Sequence, residues 1–156
     1  AGNIPESEGA DNLKAAYGDL WKLTDREIAV ELSLDPSRKA RIGLAHADLV
    51  KAEVTVPMYL DEDTSYTGVH YDIDAGSLVY HYTMPSETAD MIMLMTSDER
   101  LRVRTALEDG NANAACELSL EFLAQGFDMT YSYRNPSGKE LFNVVRSYSD
   151  CVAQGY

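Results

Sequence analysis

The chain has 156 residues, of which 45% are hydrophobic and 25% charged, and its formal net charge is −13 at pH 7. This length suits one domain, residues 1–156, with a single hydrophobic core, and no run of residues approaches the roughly 18 consecutive apolar residues of a membrane-spanning helix. The negative charge would repel phosphate backbones and anionic lipids, so the composition argues against nucleic acid as a partner.

The first residues, AGNIPESEGAD, are small and polar, as in segments that follow a cleaved secretory signal peptide. We therefore expect a flexible N-terminus at residues 1–10 and a periplasmic or secreted protein. Residues 11–52 carry apolar side chains three and four positions apart, which predicts two or three short helices. Thr24 is a suitable N-cap for one helix, and Asp35 or Ser37 for another. A strand at EIAVELSL, where apolar residues alternate, is the competing prediction.

Two later segments, VHYDID and SLVYHYTM, alternate apolar and polar side chains, which is the pattern of half-buried strands. The residues DAGS between them are typical of a turn. We predict a hairpin with one apolar face, formed by Val69, Tyr71, Ile73, Leu78, Tyr80, Tyr82 and Met84.

Helical spacing resumes at Pro85, with Ser86 as a candidate cap, and the segment DGNAN is expected to interrupt it. A further helix is predicted from about Ala114 to Ala124, with Gly126 as its C-terminal cap because glycine adopts the left-handed conformation at little steric cost.

The strongest local prediction is a hairpin around the segment NPSG. Tyr131 and Tyr133 alternate with polar residues before it, and Phe142 and Val144 lie on one side of the strand after it. Asn135 at the first position and Gly138 at the fourth indicate a type I turn. The whole pattern predicts an α+β fold, with a mainly antiparallel sheet of about four strands and helices packed on one face.

The two cysteines, Cys116 and Cys151, enclose the last predicted helix and the last hairpin. We expect a disulfide between the start of that helix and the end of the final strand. Closing a loop of about 36 residues is worth roughly 3 to 4 kcal/mol in the chain-entropy model. A pair of buried thiols is the alternative, and a catalytic thiol ranks last because no basic residue adjoins Cys116.

The segment CELSLEFLAQGFDMTYSYRNPSGKELFNVVRSYSDC combines a cysteine-headed helix, a glycine end, an aromatic strand, a polar turn and a terminal cysteine. Together with the upstream loop VPMYLDEDTSYTGV, it resembles small bacterial envelope proteins of unassigned function and is similar to the β-type pilotins of type II secretion. The resemblance covers about Val54 to Cys151. It implies an α+β core at residues 54–151, and a lipid-anchored escort that holds a C-terminal helix of a secretin in a groove beside its sheet.

The sequence lacks the motifs typical of catalytic, phosphate-binding and metal-binding sites. The chain contains no G-x-S-x-G, no glycine-rich phosphate loop and no metal-binding spacing such as H-E-x-x-H. The acidic residues around Asp61 lack the spacing of an EF-hand loop. His70 and His81 lie on strands that are predicted to pair, yet three scattered histidines are more often ordinary surface groups. We expect no catalytic residue, no metal site and no cofactor.

The remaining functional candidates are aromatic and thioether side chains, which supply broad contact area in binding surfaces. The same residues also suit a role as packing beneath the helices. We expect a non-catalytic domain that binds a partner polypeptide in a groove or at the sheet edge. The alternative is a secreted enzyme, or a small-ligand or metal-binding protein with a cleft between the N-terminal helices and the sheet. The candidate partner-binding residues are Tyr71, Tyr80, Tyr82, Tyr131, Tyr133, Met91 and Met95.

Overall fold

The computed structural model describes residues 4–156, and the expected flexible N-terminus at residues 1–10 therefore lies partly outside it. The described chain is an α+β fold, as predicted, and its first helix begins at Glu6. Its elements are α1 (Glu6–Tyr17), a 3-10 helix (Gly18–Lys22), α2 (Asp25–Ser33), α3 (Pro36–Glu53), β1 (Met58–Asp61), β2 (Thr64–Asp72), β3 (Ser77–Thr83), α4 (Ser86–Leu94), α5 (Ser97–Leu118), α6 (Leu120–Ala124), β4 (Asp128–Arg134), β5 (Glu140–Arg146) and α7 (Tyr148–Ala153).

The sheet contains five strands in the order β1-β2-β3-β4-β5, so the prediction of about four strands is wrong. All neighbouring pairs are antiparallel except β3 and β4, which run parallel. The strand missed by sequence is β1, whose four residues are all exposed. A short edge strand with no buried face carries no apolar alternation, and this explains why it resembled a loop.

The N-terminal helices begin at the predicted caps. Thr24 accepts a hydrogen bond from the backbone N–H of Glu27, whose carboxylate accepts one from the N–H of Thr24 in return. Asp35 caps α3 by accepting from the N–H of Arg38 at 3.1 Å. The competing strand at EIAVELSL is wrong because this reciprocal capping starts a helix at Asp25. The prediction that Ser86 caps α4 is also wrong, because Pro85 occupies the N-cap position and makes no side-chain hydrogen bond there.

The expected interruption at DGNAN is also wrong, because α5 runs through it without a break. The helices separate earlier, where Thr96 and Glu99 form a reciprocal capping pair at the start of α5. A glycine within a helix costs only about 1 kcal/mol relative to alanine, which a long helix tolerates. Gly126 adopts a φ of +97° just beyond α6, as the cap prediction requires.

The hairpin of β4 and β5 matches its prediction. The N–H of Gly138 donates to the carbonyl of Asn135 at 2.9 Å and closes the turn. The first predicted hairpin is also present, as β2 and β3, but β2 ends at Asp72. Ile73 therefore does not join the apolar face, and its side chain is 57% exposed in the turn.

Helices α3 and α5 each contact the aromatic face of the sheet. On α3, Gly43 lies against the ring of Tyr71. On α5, the side chain of Asn111 hydrogen-bonds the hydroxyl of Tyr133 at 3.3 Å. Tyr71 and Tyr133 point to the same side of the sheet. Tyr71 pairs with Leu78 of β3, and Tyr133 pairs with Tyr82 of the same strand. Leu78 and Tyr82 are four residues apart on β3, so their side chains share one face.

A disulfide joins Cys116 to Cys151, with an S–S distance of 2.08 Å and a Cα–Cα distance of 5.6 Å. The expected positions of the two residues need correction. Cys116 lies near the end of α5 and does not open a helix, while Cys151 lies on α7, beyond the last strand. Ser147 and Asp150 cap each other and start this short C-terminal helix. Within residues 4–156, no helix has the length and apolar character needed to cross a membrane.

Candidate functional site

A cavity of about 580 Å³ lies between the N-terminal helices and the sheet. Its floor is formed by strand residues of β3 and β4, and its walls by α3 on one side and the α5–α6 junction on the other. The lining residues are Tyr17, Trp21, His46, Val50, Leu78, Tyr80, Glu117, Leu118, Ser119, Leu120, Glu121, Phe122, Gln125 and Met129.

A smaller cavity of about 170 Å³ adjoins the first one. Val50 of α3 and Tyr80 of β3 line both cavities, so the two are neighbours along the same helix. The second cavity is almost entirely apolar and extends toward the exposed edge strand β1. Its lining residues are Val50, Val54, Met58, Leu60, Tyr66, Tyr80 and Tyr82.

Large apolar side chains stand exposed at the rims of these cavities. Trp21 is 53% exposed and Leu118 is 84% exposed at the larger cavity, while Leu60 is 51% exposed at the smaller one. Trp21 is also the single tryptophan of the chain, and its ring packs on that of Tyr17 with centroids 4.4 Å apart. Apolar groups collected around a concave surface are typical of binding sites.

A chain of hydrogen bonds crosses the inner end of the larger cavity. The amide of Gln125 donates to Asp25 at 3.0 Å, Tyr17 donates to the amide oxygen of Gln125, and the Tyr17 oxygen lies 2.8 Å from Nε2 of His46. Because the carboxylate of Asp25 can only accept, the Gln125 amide must face it with its NH2 group, and the direction of every hydrogen bond in this series is fixed. His46 must donate through Nε2–H to Tyr17, which leaves its Nδ1 as an acceptor.

Burial dominates the electrostatics of this end. It lowers the pKa of His46 to about 4, and it raises the pKa of Tyr17, an effect to which the negative charges of Asp25 and Glu121 add. The His46 ring also meets the edges of Phe122 and Phe127, at centroid distances of 4.6 and 6.2 Å. His46 is therefore neutral at physiological pH.

Four of the five tyrosines predicted to bind a partner form a continuous row across β3 and β4, whereas the ring of Tyr71 contacts Phe127. Tyr80 lies parallel to Tyr131 at 5.6 Å and Tyr82 parallel to Tyr133 at 4.9 Å, measured between ring centroids. Tyr71, Tyr131 and Tyr133 are buried, while Tyr80 and Tyr82 are half-buried. Burial raises the pKa of Tyr80 to about 12. Only Tyr80 and Tyr82 of this set line the two cavities.

The two predicted methionines are placed differently. Met91 is 62% exposed on α4 and Met95 is half-buried just beyond it, and neither lines either cavity. Sequence reasoning instead missed Trp21, His46 and Leu118. Leu118 carried one usable signal, because an apolar residue outside the buried stripe of a helix is a candidate contact residue.

The histidines of the hairpin occupy the opposite side of the sheet. Nδ1 of His70 lies 2.6 Å from Nε2 of His81, and the two ring planes are inclined by 16°. Partial burial lowers the pKa of His81 to about 4, with contributions from His70 and Arg134. Across residues 4–156, no group of three or more His, Cys, Asp and Glu side chains is arranged to hold a metal ion.

The acidic residues before β2 serve the local structure. Asp61 accepts from the backbone N–H of Asp63 at 2.7 Å, and Asp63 accepts from the hydroxyl of Thr88 at 2.9 Å. These bonds hold the turn between β1 and β2 and connect it to α4.

The chain is similar in structure to a Pseudomonas aeruginosa protein classed as secreted, with 18% identity, a TM-score of 0.49, and coverage of 80% of this chain and 96% of the other. It is also similar to the type 2 secretion system pilotin EpsS of Vibrio vulnificus, with 12% identity, a TM-score of 0.44, and coverage of 80% and 96%. The type II secretion pilotin AspS of Vibrio cholerae gives 10% identity, a TM-score of 0.49, and coverage of 77% and 99%. The resemblance stated from the sequence is thus confirmed at the level of structural likeness. No known family matches the chain by sequence, and no curated protein matches it.

Proposed function

We propose that this protein is a non-catalytic, extracytoplasmic binding domain that holds an amphipathic helix of a partner polypeptide in the α3 groove. The α3 groove is defined here as the two adjoining cavities that share Val50 and Tyr80. The proposed compartment is the periplasm, and the proposed partner is a component of an envelope assembly, as the resemblance to pilotins implies. We further propose that the helices pack on the aromatic face of the sheet, where Gly43 and Asn111 contact it.

The observation that carries the proposal is the exposure of Leu118 and Trp21 beside an apolar floor. These side chains are 84% and 53% exposed, although burial of a large apolar side chain is worth roughly 1.5 to 3 kcal/mol. An amphipathic helix laid along α3 would cover both and would also reach Leu60 at the far end. Helices bind grooves in this way through apolar side chains on one face.

Charge supports a basic helix as the occupant. Glu117 and Glu121 line the larger cavity, and the chain as a whole carries a net charge of −13. A helix with lysine or arginine beside its apolar stripe would place those charges opposite the two carboxylates. Such complementarity accelerates association and disfavours acidic competitors.

One further feature supports the extracytoplasmic location. The disulfide between Cys116 and Cys151 suits an oxidising compartment.

Trp21 offers a direct test. A synthetic basic amphipathic helix should shift Trp21 fluorescence to shorter wavelength, because the indole would leave water at the rim of the groove. A peptide with the same apolar face but with Glu in place of its basic residues should bind at least about tenfold more weakly at low salt, and the difference should shrink as salt rises.

A matched pair of variants makes the test specific. Leu118→Asp places a charge at the rim and should abolish the fluorescence response. Leu34→Asp makes the same change at a leucine that is 77% exposed and lies outside both cavities, so binding should persist. Equal responses from the two variants would place the peptide elsewhere and overturn the proposal.

A second candidate function is the binding of a small ligand with an apolar body and a polar group. The volume of about 580 Å³ lies within the usual range for ligand pockets, and His46, which lines the cavity, keeps Nδ1 as a hydrogen-bond acceptor. A saturable one-to-one response of Trp21 to a monomeric long-chain alcohol, with no response to either peptide, would favour this function over the first.

A further inference from the structure

The two histidines on the side of the sheet opposite the tyrosines form a pair that the proposed groove does not use. His70 of β2 and His81 of β3 are not directly opposite each other, since Gly68 pairs with His81 and His70 pairs with Val79. Their side chains nevertheless meet diagonally, with Nδ1 of His70 2.6 Å from Nε2 of His81. Diagonal neighbours on adjacent strands are within reach of long side chains.

The protonation of the pair follows from this distance. One of the two facing nitrogens carries a hydrogen and the other accepts it, because two N–H groups could not approach so closely. A neutral imidazole can move its hydrogen to its other ring nitrogen. Both facing lone pairs then become available without any proton being lost from the pair.

The spacing suits two ligands of one metal ion. An imidazole nitrogen lies about 2.0 to 2.1 Å from its metal ion, so two adjacent nitrogens are about 2.9 Å apart on a square-planar ion and about 3.3 Å apart on a tetrahedral ion. The two nitrogens, 2.6 Å apart as a hydrogen-bonded pair, would separate slightly to bind either kind of ion. Each ring must also turn so that both lone pairs point at the ion, and the terminal torsion of histidine is broad.

The surroundings leave room for the remaining ligands. His70 is exposed and His81 half-buried, so water can complete the coordination of an ion bound between them. The positive charge of Arg134 acts on His81, and its guanidinium is held by a hydrogen bond that it donates to Ser132 at 3.0 Å. The net charge of −13 attracts cations to the surface as a whole.

We propose that His70 and His81 form a two-histidine binding site for copper(II), on the side of the sheet opposite the α3 groove. Both imidazoles coordinate the ion through the nitrogens that face each other in the metal-free molecule. Imidazole is a preferred ligand of copper, and copper(II) is the divalent first-row ion that such sites bind most tightly.

The test uses the full chain, without a polyhistidine tag and with its disulfide intact. Copper(II) is titrated in the presence of glycine as a competing ligand, and the bound ion is examined by electron paramagnetic resonance. We expect one ion per chain, with hyperfine coupling to two imidazole nitrogens. His70→Thr and His81→Thr, which keep a residue suited to a strand, should each weaken binding at least about tenfold and remove one nitrogen from the spectrum.

Asp74→Asn serves as the matched control, because it removes an exposed carboxylate from the same hairpin and leaves both rings in place. Its copper affinity should stay within about twofold of the parent, a difference below 0.5 kcal/mol. The inference fails if the His70→Thr/His81→Thr double variant binds copper like the parent chain, or if the parent spectrum shows oxygen ligands alone. Folding of each variant is checked by circular dichroism.

Discussion

Gly43 of α3 and Tyr71 of β2 are packed so closely that a Cβ atom at position 43 would lie 2.2 Å from Cζ of the tyrosine ring. Both residues are buried, and the contact sets how near α3 can approach the sheet. The same helix forms one wall of the α3 groove. The width of the groove therefore depends on the absence of a side chain at one position.

Gly43→Ala should destabilise the protein by about 1 to 3 kcal/mol, since the new methyl group must displace a packed ring or the helix itself. The free energy of unfolding in urea measures the loss. Gly110→Ala is the control, because its added Cβ would meet no atom within 4 Å beyond its chain neighbours and the backbone of its own helix, and the glycine is in the interior of α5. It should be neutral or stabilise the chain by up to about 1 kcal/mol. Similar losses from both variants would contradict the packing argument.

The buried His46 should make the protein sensitive to acid. Its pKa is about 4 in the folded chain and 6.5 in the unfolded chain, so the unfolded state binds the proton more tightly. The contribution to stability is fully present above pH 6.5 and is lost as the pH falls toward 4. It amounts to about 3 kcal/mol by linkage.

His46→Gln should reduce the loss of stability between pH 6.5 and pH 4, because glutamine does not titrate and can still donate to Tyr17. Urea unfolding at intervals from pH 7 to pH 4 measures the slope for both chains. Some slope should persist in the variant, since the pKa of His81 is also lowered to about 4. Superimposable profiles for the two chains would show that His46 does not contribute.

Loss of the disulfide should lower stability by about 3 to 4 kcal/mol, because the bond closes a long loop between residues 35 positions apart. The Cys116→Ala/Cys151→Ala double variant, compared with the oxidised parent in urea, gives the value. Reduction of the parent with dithiothreitol should reproduce most of the effect. A double variant as stable as the oxidised parent would mean that the bond constrains little of the unfolded chain.

Thr96→Ala should cost about 1 kcal/mol, since it removes the side chain that caps α5 and accepts from the N–H of Glu99. Thr105→Ala, on the exposed surface of the same helix, is the comparison. There the change should be close to neutral, because alanine favours the helix. Thermal unfolding distinguishes them, and equal midpoints would argue against the cap.

Local signals allowed much of the fold to be predicted. The N-caps at Thr24 and Asp35, the alternating strands and the NPSG turn each depend on residues a few positions apart, and all of them are present in the structure. Two failures have different causes. The edge strand β1 has no buried face of its own and is recognised by its pairing with β2, whereas the cap at Ser147 and Asp150 that starts α7 is a local signal that the sequence analysis overlooked.

The candidate site was harder to predict. Tyr80 and Tyr82 were identified because they lie on a strand with clear alternation. Trp21, His46 and Leu118 come from three separate helices, and no spacing in the chain connects them. Their proximity results from packing between elements that are distant in sequence.

The parallel pairing of β3 with β4 divides the molecule into two halves, each built from segments that are close in sequence. The disulfide lies entirely within the second half, so no covalent bond other than the main chain crosses the seam between the halves. The floor of the α3 groove does cross it, since Tyr80 comes from β3 and Met129 from β4. An occupant of the groove would therefore act as a clamp across that seam, resisting separation of the two halves where the protein has no crosslink of its own.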